Sequence, residues 1–333
     1  RPGADDLTAP SSGTDVVVDE RGVGASGTVS VVDLATRSVV AEIAVGLHAS
    51  DMVLTRDGSR LYVANANSDT VTEIDTRTRK VARSLSVRPD PRLAFGSMPN
   101  ALALSEDDQT LYVACGGNNA VAVLSLGAEN LDDVVQGFIP AGWFPSALLL
   151  DGGYLYIANV KGVGSRSQQD GDNGWNVHRH RGSVQRVAVP VGRDALASYT
   201  SQVIQDGRVP HMLRANERAQ SSAAPRPVPA QVGQPSVFEH VVYVIKENRT
   251  YDQVLGDMAQ GNGDPSLCIF GLEVTPNHHA LAEQFALLDN YYCNGVNSAD
   301  GHSWTTEGNV TDHLEKSFGG FTRSYTWGND ALT

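Results

Sequence analysis

The chain has 333 residues and a formal net charge of −13, and 41% of its residues are hydrophobic. Nucleic-acid binding needs a basic face that neutralises phosphates, and the sequence contains no cluster of Lys and Arg, so that class of function is excluded. No run of about 18 apolar residues is present, so no transmembrane segment is expected. The 33 glycines favour a fold with many tight turns over one built from long helices.

Three related segments recur in the first part of the chain. They are Leu61–Asn65, Leu111–Cys115 and Leu155–Asn159, which read LYVAN, LYVAC and LYIAN. An apolar stretch and a polar turn precede each segment, and another turn and a β-branched stretch follow it. Four short strands in each unit of about 40–50 residues are typical of a propeller blade.

The flanking strands can be located from the same pattern. The predicted strands are Asp51–Leu54, Thr70–Ile74, Ala101–Leu104, Ala120–Leu124, Ala147–Leu150 and Ser183–Val187, with earlier copies at Asp15–Asp19 and Val29–Asp33. Val, Ile, Tyr and Thr fill these runs, and Gly, Asp, Asn and Ser fill the gaps between them. A β-sandwich with accidental internal similarity is the alternative.

The LYVAN-type units resemble the YVTN family of β-propeller repeats, over roughly residues 14–215. About four blades are visible and the first is incomplete. Because a ring with missing blades leaves unpaired strand edges, we expect the chain to begin inside a propeller. A complete four-bladed ring is the alternative.

A change of composition marks the end of the repeats. Residues 219–238 are rich in proline and predict an extended linker. The apolar run His240–Ile245 then predicts a strand buried on both faces of a parallel sheet. Glu247 and Asn248 follow it directly and carry oxygen donors suited to a divalent cation, although a simple cap or turn explains them as well.

The last part of the chain predicts a helix, a strand and a second helix. Thr275 and Pro276 are typical of a helix start, with His278 and His279 as surface or packing residues. Ala286–Tyr292 predicts a strand, and a glycine-containing loop then leads to a helix. Ser298 and Ser303 are the candidate hydroxyls at that helix N-terminus, where backbone N–H groups favour a phosphate, and either residue can instead be an N-cap.

These motifs together resemble the bacterial phosphoesterase family of acid phosphatases and phospholipase C-type enzymes, within the alkaline phosphatase-like superfamily. The resemblance is carried by Glu247–Asp252, Leu288–Tyr292 and Ser298–His302. It implies that Glu247, Asn248 and Ser298 bind a metal, that Ser298 is also the nucleophile, and that His302 is a second catalytic residue near it. Ser303 does not fit the family's Ser-x-x-x-His spacing.

The fold class expected from both resemblances is mixed: all-β propeller blades in residues 1–218, a linker in 219–238, and the N-terminal portion of an α/β alkaline phosphatase-like domain in 239–333. The implied function is hydrolysis of phosphate esters with a divalent cation (Mg, Ca, Mn or Zn), the propeller serving as an accessory domain that binds a protein or cell-surface ligand. The family's remaining metal ligands lie far downstream of its nucleophile, so we expect residues 1–333 alone to be inactive. The alternative is a non-catalytic β-propeller that binds a ligand or a protein.

The three cysteines leave the redox state open. Cys268 and Cys293 can form a disulfide if the protein is exported, and free thiols are the equal alternative. The phosphoesterase resemblance implies a periplasmic or extracellular location.

Overall fold

The computed structural model describes residues 7–11, 14–18, 26–128, 130–131, 134–162, 181–218, 223–229, 234–295, 298–308 and 310–317. The chain separates into two compact units. The first unit comprises Arg1–Ala219 and Gly295–Thr333, and the second comprises Gln220–Asn294.

The first unit is built from antiparallel sheets arranged in chain order. Its first strands form two two-stranded sheets, Thr8–Ser11 (β1) with Thr14–Val17 (β2) and Gly27–Asp33 (β3) with Ser38–Val45 (β4). A four-stranded sheet follows, made of Ala49–Leu54 (β5), Arg60–Asn65 (β6), Thr70–Asp75 (β7) and Lys80–Ser86 (β8). The next is made of Pro99–Leu104 (β9), Thr110–Cys115 (β10), Ala120–Ser125 (β11) and Val135–Pro140 (β12). The last contains Trp143–Asp151 (β13), Tyr154–Gly162 (β14) and Ser183–Ala188 (β15).

The strands predicted for the repeat region are confirmed from Val29 onward; of the earlier copy at Asp15–Asp19, Asp19 lies outside the described residues, and this strand pairs with β1 and not with β3. The register repeats as well, because Val63 lies opposite Thr72 in one sheet and Val113 lies opposite Ala122 in the next. β9 packs against both β5 and β13, so the first strands of successive sheets are neighbours. The apolar core lies between sheets, where fully buried Val71 and Val113 belong to one cluster.

A side-chain clamp recurs at two successive junctions between the described sheets. Asp69 is completely buried, has a left-handed φ of 54°, and accepts hydrogen bonds from the backbone N–H groups of Gly96, Ser97 and Met98 at 2.9, 2.8 and 3.1 Å. Arg88 donates to the same carboxylate at 3.1 Å. The carboxylate therefore fixes the backbone that leads into β9.

Asn119 occupies the equivalent turn one sheet later. Its φ is 50°, and its Oδ1 accepts from the backbone N–H of Phe144 at 2.9 Å. Met98 and Phe144, the residues held by the two clamps, have matching left-handed φ values of 54° and 58°. The same local geometry thus sets the entry of the chain into two successive sheets.

Two helices follow β15 where the sequence analysis had continued the repeat pattern to residue 218. They are Arg193–Asp206 (α1) and Val209–Arg218 (α2). α1 packs against β12, and the Thr200 hydroxyl accepts from the backbone N–H of Phe138 at 2.9 Å. Gly137 permits this approach, because a Cβ there would lie 2.5 Å from the Thr200 hydroxyl. The helix therefore covers the outer strand of that sheet.

The end of the chain adds Ser298–Glu307 (α5) and Asp312–Ser317 (α6) to the first unit. Lys161 of β14 and Glu315 of α6 form an ion pair of 2.6 Å in which both side chains are fully buried. The Trp304 indole donates to the same carboxylate at 2.9 Å, and Lys161 also lies 4.9 Å from the centre of the Trp143 ring. These contacts hold the two helices on the edge of the sheets where β13 begins and β14 ends.

The second unit contains Tyr251–Leu255 (α3), a 3-10 turn at Pro265–Leu267 and Pro276–Gln284 (α4). The predicted start of α4, with Thr275 as N-cap and Pro276 as first helical residue, is confirmed. In the described part of this unit, strand-like pairing is limited to a bridge between Arg226 and Ser236.

The strands predicted at His240–Ile245 and Ala286–Tyr292 are wrong. Both segments are irregular, and Val242 and Tyr292 are 88% and 81% exposed. A strand needs a neighbour that pairs with its N–H and C=O groups, and the described residues of the second unit provide none. The parallel sheet implied by the phosphoesterase resemblance is thus not formed among them.

None of the described helices is long and apolar enough to cross a membrane. The three cysteines are free thiols, with Cys115 buried, Cys268 half-buried and Cys293 exposed. The disulfide considered for Cys268 and Cys293 is therefore not formed in this structure.

We predict that Asp69→Asn lowers the free energy of unfolding by about 2–3 kcal/mol, because Arg88 and three backbone N–H groups lose a buried negative charge. Asn has nearly the same shape as Asp and tolerates a left-handed φ, so the loss of unfolding free energy is due to the missing charge. The control is Asp90→Asn, which removes the Asp90–Arg92 pair, whose arginine is 63% exposed; we expect a change below about 1 kcal/mol. Urea unfolding measures both, and equal losses would contradict the clamp.

Candidate functional site

The second unit contains a pocket of about 410 Å³ around Glu247. Lys246, Arg249 and His278 line it together with Glu247, and Val254, Leu255 and Phe270 form apolar walls. The Arg249 guanidinium lies 4.9 Å from the centre of the Phe270 ring. One carboxylate, two cationic side chains and an imidazole thus share one concave surface.

Hydrogen bonds at the start of α3 fix the frame of this pocket. The backbone N–H of Thr250 donates to the Gln253 side chain at 3.2 Å, and the Gln253 carbonyl accepts from Ile269 and Phe270 at 3.0 and 2.8 Å. Asp252 accepts from the backbone N–H of Asp264 at 2.8 Å. The helix and the loop carrying Phe270 are therefore tied together.

The predicted metal ligands Glu247 and Asn248 differ in their surroundings. Glu247 and Arg249 line the pocket. Asn248, which lies between them in the chain, is not among the lining residues and has a left-handed φ of 68°. Among the described residues, no group of three or more His, Cys, Asp and Glu side chains is arranged to hold a metal ion. Lys246 and Arg249 flank the single carboxylate, so the lining of this pocket carries two basic groups for one acidic group.

Ser298 and His302 belong to the first unit. Ser298 is the first residue of α5, as expected for a hydroxyl at a helix N-terminus, and Ser303 lies inside the same helix. The His302 Nδ1 donates to the backbone carbonyl of Ser298 at 2.7 Å. Glu247 and Ser298 lie in different units, so their convergence on one site stays a prediction.

His279 is buried beside Asp257 in the second unit. Its Nε2 lies 2.8 Å from the Asp257 carboxylate, and its Nδ1 lies 2.9 Å from the Thr275 carbonyl. The hydrogen bond from His279 lowers the pKa of Asp257 to about 2, with a further contribution from the backbone N–H of Leu272. Burial lowers the pKa of His279, but the hydrogen bonds to Asp257 and to the Thr275 carbonyl, together with the negative charges of Asp257 and Glu283, outweigh it and raise that pKa above its ordinary value of 6.5.

A second pocket, of about 600 Å³, lies in the first unit. One wall is the segment 89–97 between β8 and β9, and the other is formed by α1 and α2. Gly117, Asn118 and Asn119 of the β10–β11 turn and Pro140 and Ala141 after β12 close it. We call this cavity the blade-edge pocket.

Both walls of the blade-edge pocket are held by the interactions described above. The Asp69 clamp fixes Gly96 and Ser97, and Arg88 donates to the Leu93 carbonyl at 3.3 Å. Val203 of α1 lines the pocket and is buried in the inter-sheet core. The cavity is therefore preformed, as ligand pockets of this size usually are.

Asn118 is one of the residues that line this pocket. Its Nδ2 is buried and has no hydrogen-bond partner among the described residues. Sequence reasoning missed Asn118, although the run Gly116–Asn119 follows a repeat segment and marks a turn. It missed the second wall because α1 and α2 were not predicted.

Comparison with known proteins connects the sheets to a named fold. Over 132 residues the chain is 30% identical to the seven-bladed beta-propeller protein Rv1057 of Mycobacterium tuberculosis, a match that covers 39% of this chain and 31% of that protein. The described sheets are β-propeller blades. The match spans about a third of the relative's length.

Two further comparisons complete the picture. Kuenenia stuttgartiensis Hydrazine Synthase is 26% identical, with a TM-score of 0.37 over 49% of this chain and 40% of that one. A similarity of that TM-score carries no argument about the propeller or its function. No family model matches the chain.

We predict that His279 titrates above pH 6.5 in the intact chain, because its protonated form is stabilised by Asp257. Its raised pKa adds stability that is complete below pH 6.5 and is lost as pH rises through the folded-state value. Asp257, with its lowered pKa, adds stability above pH 3.8 that is lost as pH falls through about 2. Both side chains are therefore charged, and the ion pair makes its full contribution to stability, between pH 3.8 and pH 6.5.

NMR titration of the imidazole C2 proton tests this, with His279→Gln to assign the signal. Asp257→Asn removes the carboxylate, so that burial is opposed only by the Thr275 carbonyl and by Glu283, and the pKa of His279 should fall. Asp289→Asn, in the same unit, is the control and should leave the titration unchanged. If the titration midpoint of His279 in Asp257→Asn equals that of the wild type, the His279–Asp257 pair does not form in solution.

Proposed function

We propose that this chain acts as a β-propeller binding module whose ligand occupies the blade-edge pocket. The observation that carries the proposal is a preformed cavity of about 600 Å³ between a clamped loop and a packed helix. Such a cavity is the default binding site in a structure of this kind. The similarity to a protein named for its propeller supports the scaffold of this module.

Topology supports the same location. The pocket is lined by segments that lead from the last strand of one blade to the first strand of the next, and by the turn between second and third strands. In an antiparallel blade these connections emerge at one edge. Residues on loops positioned by a rigid scaffold are the usual carriers of binding.

Ala94→Trp tests the site without knowledge of the ligand, because the indole would fill the pocket from the loop wall. We expect a diverse fragment library, screened by ligand-observed NMR, to give hits that Ala94→Trp abolishes. Ala35→Trp, on the exposed turn between β3 and β4, is the matched control and should keep the hits. Hits that survive in Ala94→Trp would place binding elsewhere and refute the module as proposed.

A second candidate is hydrolysis of phosphate esters, favoured by Lys246, Arg249 and His278 around Glu247, a set that suits a phosphate. In this proposal the Ser298 hydroxyl attacks phosphorus, the ester oxygen leaves, and water then cleaves the phosphoserine, with His302 nearby. A divalent cation at Glu247 and Asn248, and a periplasmic or extracellular location, remain part of this second proposal.

In the full gene product, Ser298→Ala should abolish hydrolysis of p-nitrophenyl phosphate, because the nucleophile is lost. Ser303→Ala, in the same helix, should leave the rate unchanged. Residues 1–333 alone should show no hydrolysis. Equal rates for the wild type and Ser298→Ala would exclude the serine mechanism and leave the binding module as the function.

A further inference from the structure

The last described blade, formed by β13, β14 and β15, exposes one face of its sheet. Its other face packs on the preceding blade, where Leu155 and Ile157 of β14 are fully buried beside Tyr112 of β10. Successive side chains of a strand point to opposite faces. Leu149 and Val184 therefore lie on the free side, where they are 61% and 73% exposed. We call this surface the open blade face, and the side chains that the strand register aligns on it are Ala147, Leu149, Tyr156, Ala158, Val184 and Arg186.

Equivalent positions in the two preceding blades are buried by the blade that follows. The register places Val71, Val121 and Val184 opposite the alanine of the repeat segment in three successive blades. Val71 and Val121 are completely buried, in clusters that include Leu111 and Ile157 of the next blade, respectively. Val184 thus occupies a position that elsewhere in this chain makes the contact between blades. Its exposure identifies the open blade face as an interface surface.

The tyrosine of the repeat segment shows the same difference. Tyr62 and Tyr112 are 3% and 4% exposed, whereas Tyr156 on the open blade face is only half-buried. Strands about 4.8 Å apart and up to nine residues long give this face an area of about 400 Å². The largest apolar patch of a monomeric protein is commonly of this size and is often functional.

The chain does not cover this face with the residues that follow it. After β15, the described residues form helices, short turns and irregular segments, and no further sheet. The first of these helices, α1, turns back onto β12 of the preceding blade. A partner for the open blade face must therefore come from outside the described segments.

The charges on this face suit a second copy of the same face. Arg186 is exposed, and its guanidinium lies 4.5 Å from the centre of the Tyr154 ring. Asp151, which the register places opposite Tyr154, adds an exposed carboxylate. The face thus carries one positive and one negative group, whereas the whole chain has a net charge of −13. Two copies can therefore meet here without the like-charge repulsion that the net charge imposes.

We propose that the open blade face is the interface of a homodimer, in which the same face of two copies packs together about a two-fold axis. Tyr156 and Val184 of each copy are buried against the other copy, and the two sheets stack about 10 Å apart. Because both copies use the same surface, the assembly closes at two chains. The dimer goes beyond the ligand binding proposed above, since the open blade face shares no residue with the lining of the blade-edge pocket.

Sedimentation velocity of the intact chain over a concentration series tests the proposal. An interface that hides about 400 Å² on each copy belongs to the weak class, so we expect a monomer–dimer equilibrium with a dissociation constant of about 1–100 µM. Val184→Asp should weaken association about tenfold or more, because each copy then buries a carboxylate without a partner. Val81→Asp, at a 46% exposed position of β8, is the matched control and should leave the equilibrium unchanged.

A second pair of variants tests the charge balance of the face. Arg186→Glu leaves the open blade face with two acidic groups, so the two copies repel each other and association should weaken about tenfold. Arg77→Glu, in the exposed turn between β7 and β8, changes the net charge of the chain by the same amount and should leave the dimer unchanged. The four substituted side chains lie at exposed positions, so far-UV circular dichroism should show an unchanged fold.

The proposal is overturned if the intact chain stays monomeric up to about 500 µM, well above the range expected for a weak interface. It is also overturned if Val184→Asp or Arg186→Glu associates as strongly as the wild type, or if a control variant weakens association equally. Assembly beyond two copies would indicate a head-to-tail contact and refute the two-fold dimer. None of these results depends on the blade-edge pocket, so the fragment screen with Ala94→Trp tests the binding module separately.

Discussion

A side-chain oxygen that accepts hydrogen bonds from the backbone of the next blade is the interaction on which the described propeller depends. Asp69 and Asn119 make this contact one blade apart, each from a left-handed turn. The backbone carbonyls of the same two residues also accept hydrogen bonds. The Asp69 carbonyl accepts from the Val87 N–H at 3.0 Å, and the Asn119 carbonyl accepts from the Ala141 N–H at 2.8 Å. The contact places the first strand of one blade against that of the next, so it sets the spacing of the ring. It also fixes the loop that forms a wall of the blade-edge pocket, which links the architecture of the fold to its capacity to bind.

The turns at the opposite edge of the blades are fixed by hydrogen bonds between residues two or three positions apart in the sequence, and these bonds recur from blade to blade. Thr55 donates to Asp57 at 2.7 Å, and Ser105 donates to Asp107 at 2.6 Å, in equivalent turns between the first two strands. The turns after the third strands follow a second rule, in which an aspartate accepts from a backbone N–H three residues later at 2.8 Å, at Asp33 and again at Asp75. The repetition of this second rule identifies β3 and β4 as the last two strands of a blade, in agreement with the upstream copy predicted at Val29–Asp33.

The two units offer pockets of opposite electrostatic character. The cavity around Glu247 brings Lys246 and Arg249 together, whereas the blade-edge pocket has a carboxylate and no basic residue in its lining. This contrast means that an acidic chain with a net charge of −13 presents one local site with two basic side chains and another with a carboxylate and no basic side chain. A phosphoesterase and a binding module are therefore compatible proposals for different parts of one chain, and each is tested by variants in its own unit.

The sequence by itself determined the blades, because alternating Val and Ile residues and Asp- or Asn-containing turns are local signals that each strand and turn carries within its own few residues. It also placed Ser298 at a helix N-terminus. Only the tertiary structure decided what depends on partners distant in the chain. His240–Ile245 has the composition of a strand, yet no segment among the described residues pairs with it, so it is irregular and exposed. Lys161 and Glu315 are unremarkable surface residues in the sequence, and they become a buried pair because α6 packs on the propeller. The unpartnered amide of Asn118 is likewise a property of packing, since which polar atoms lose water is settled by the whole fold and not by any local stretch.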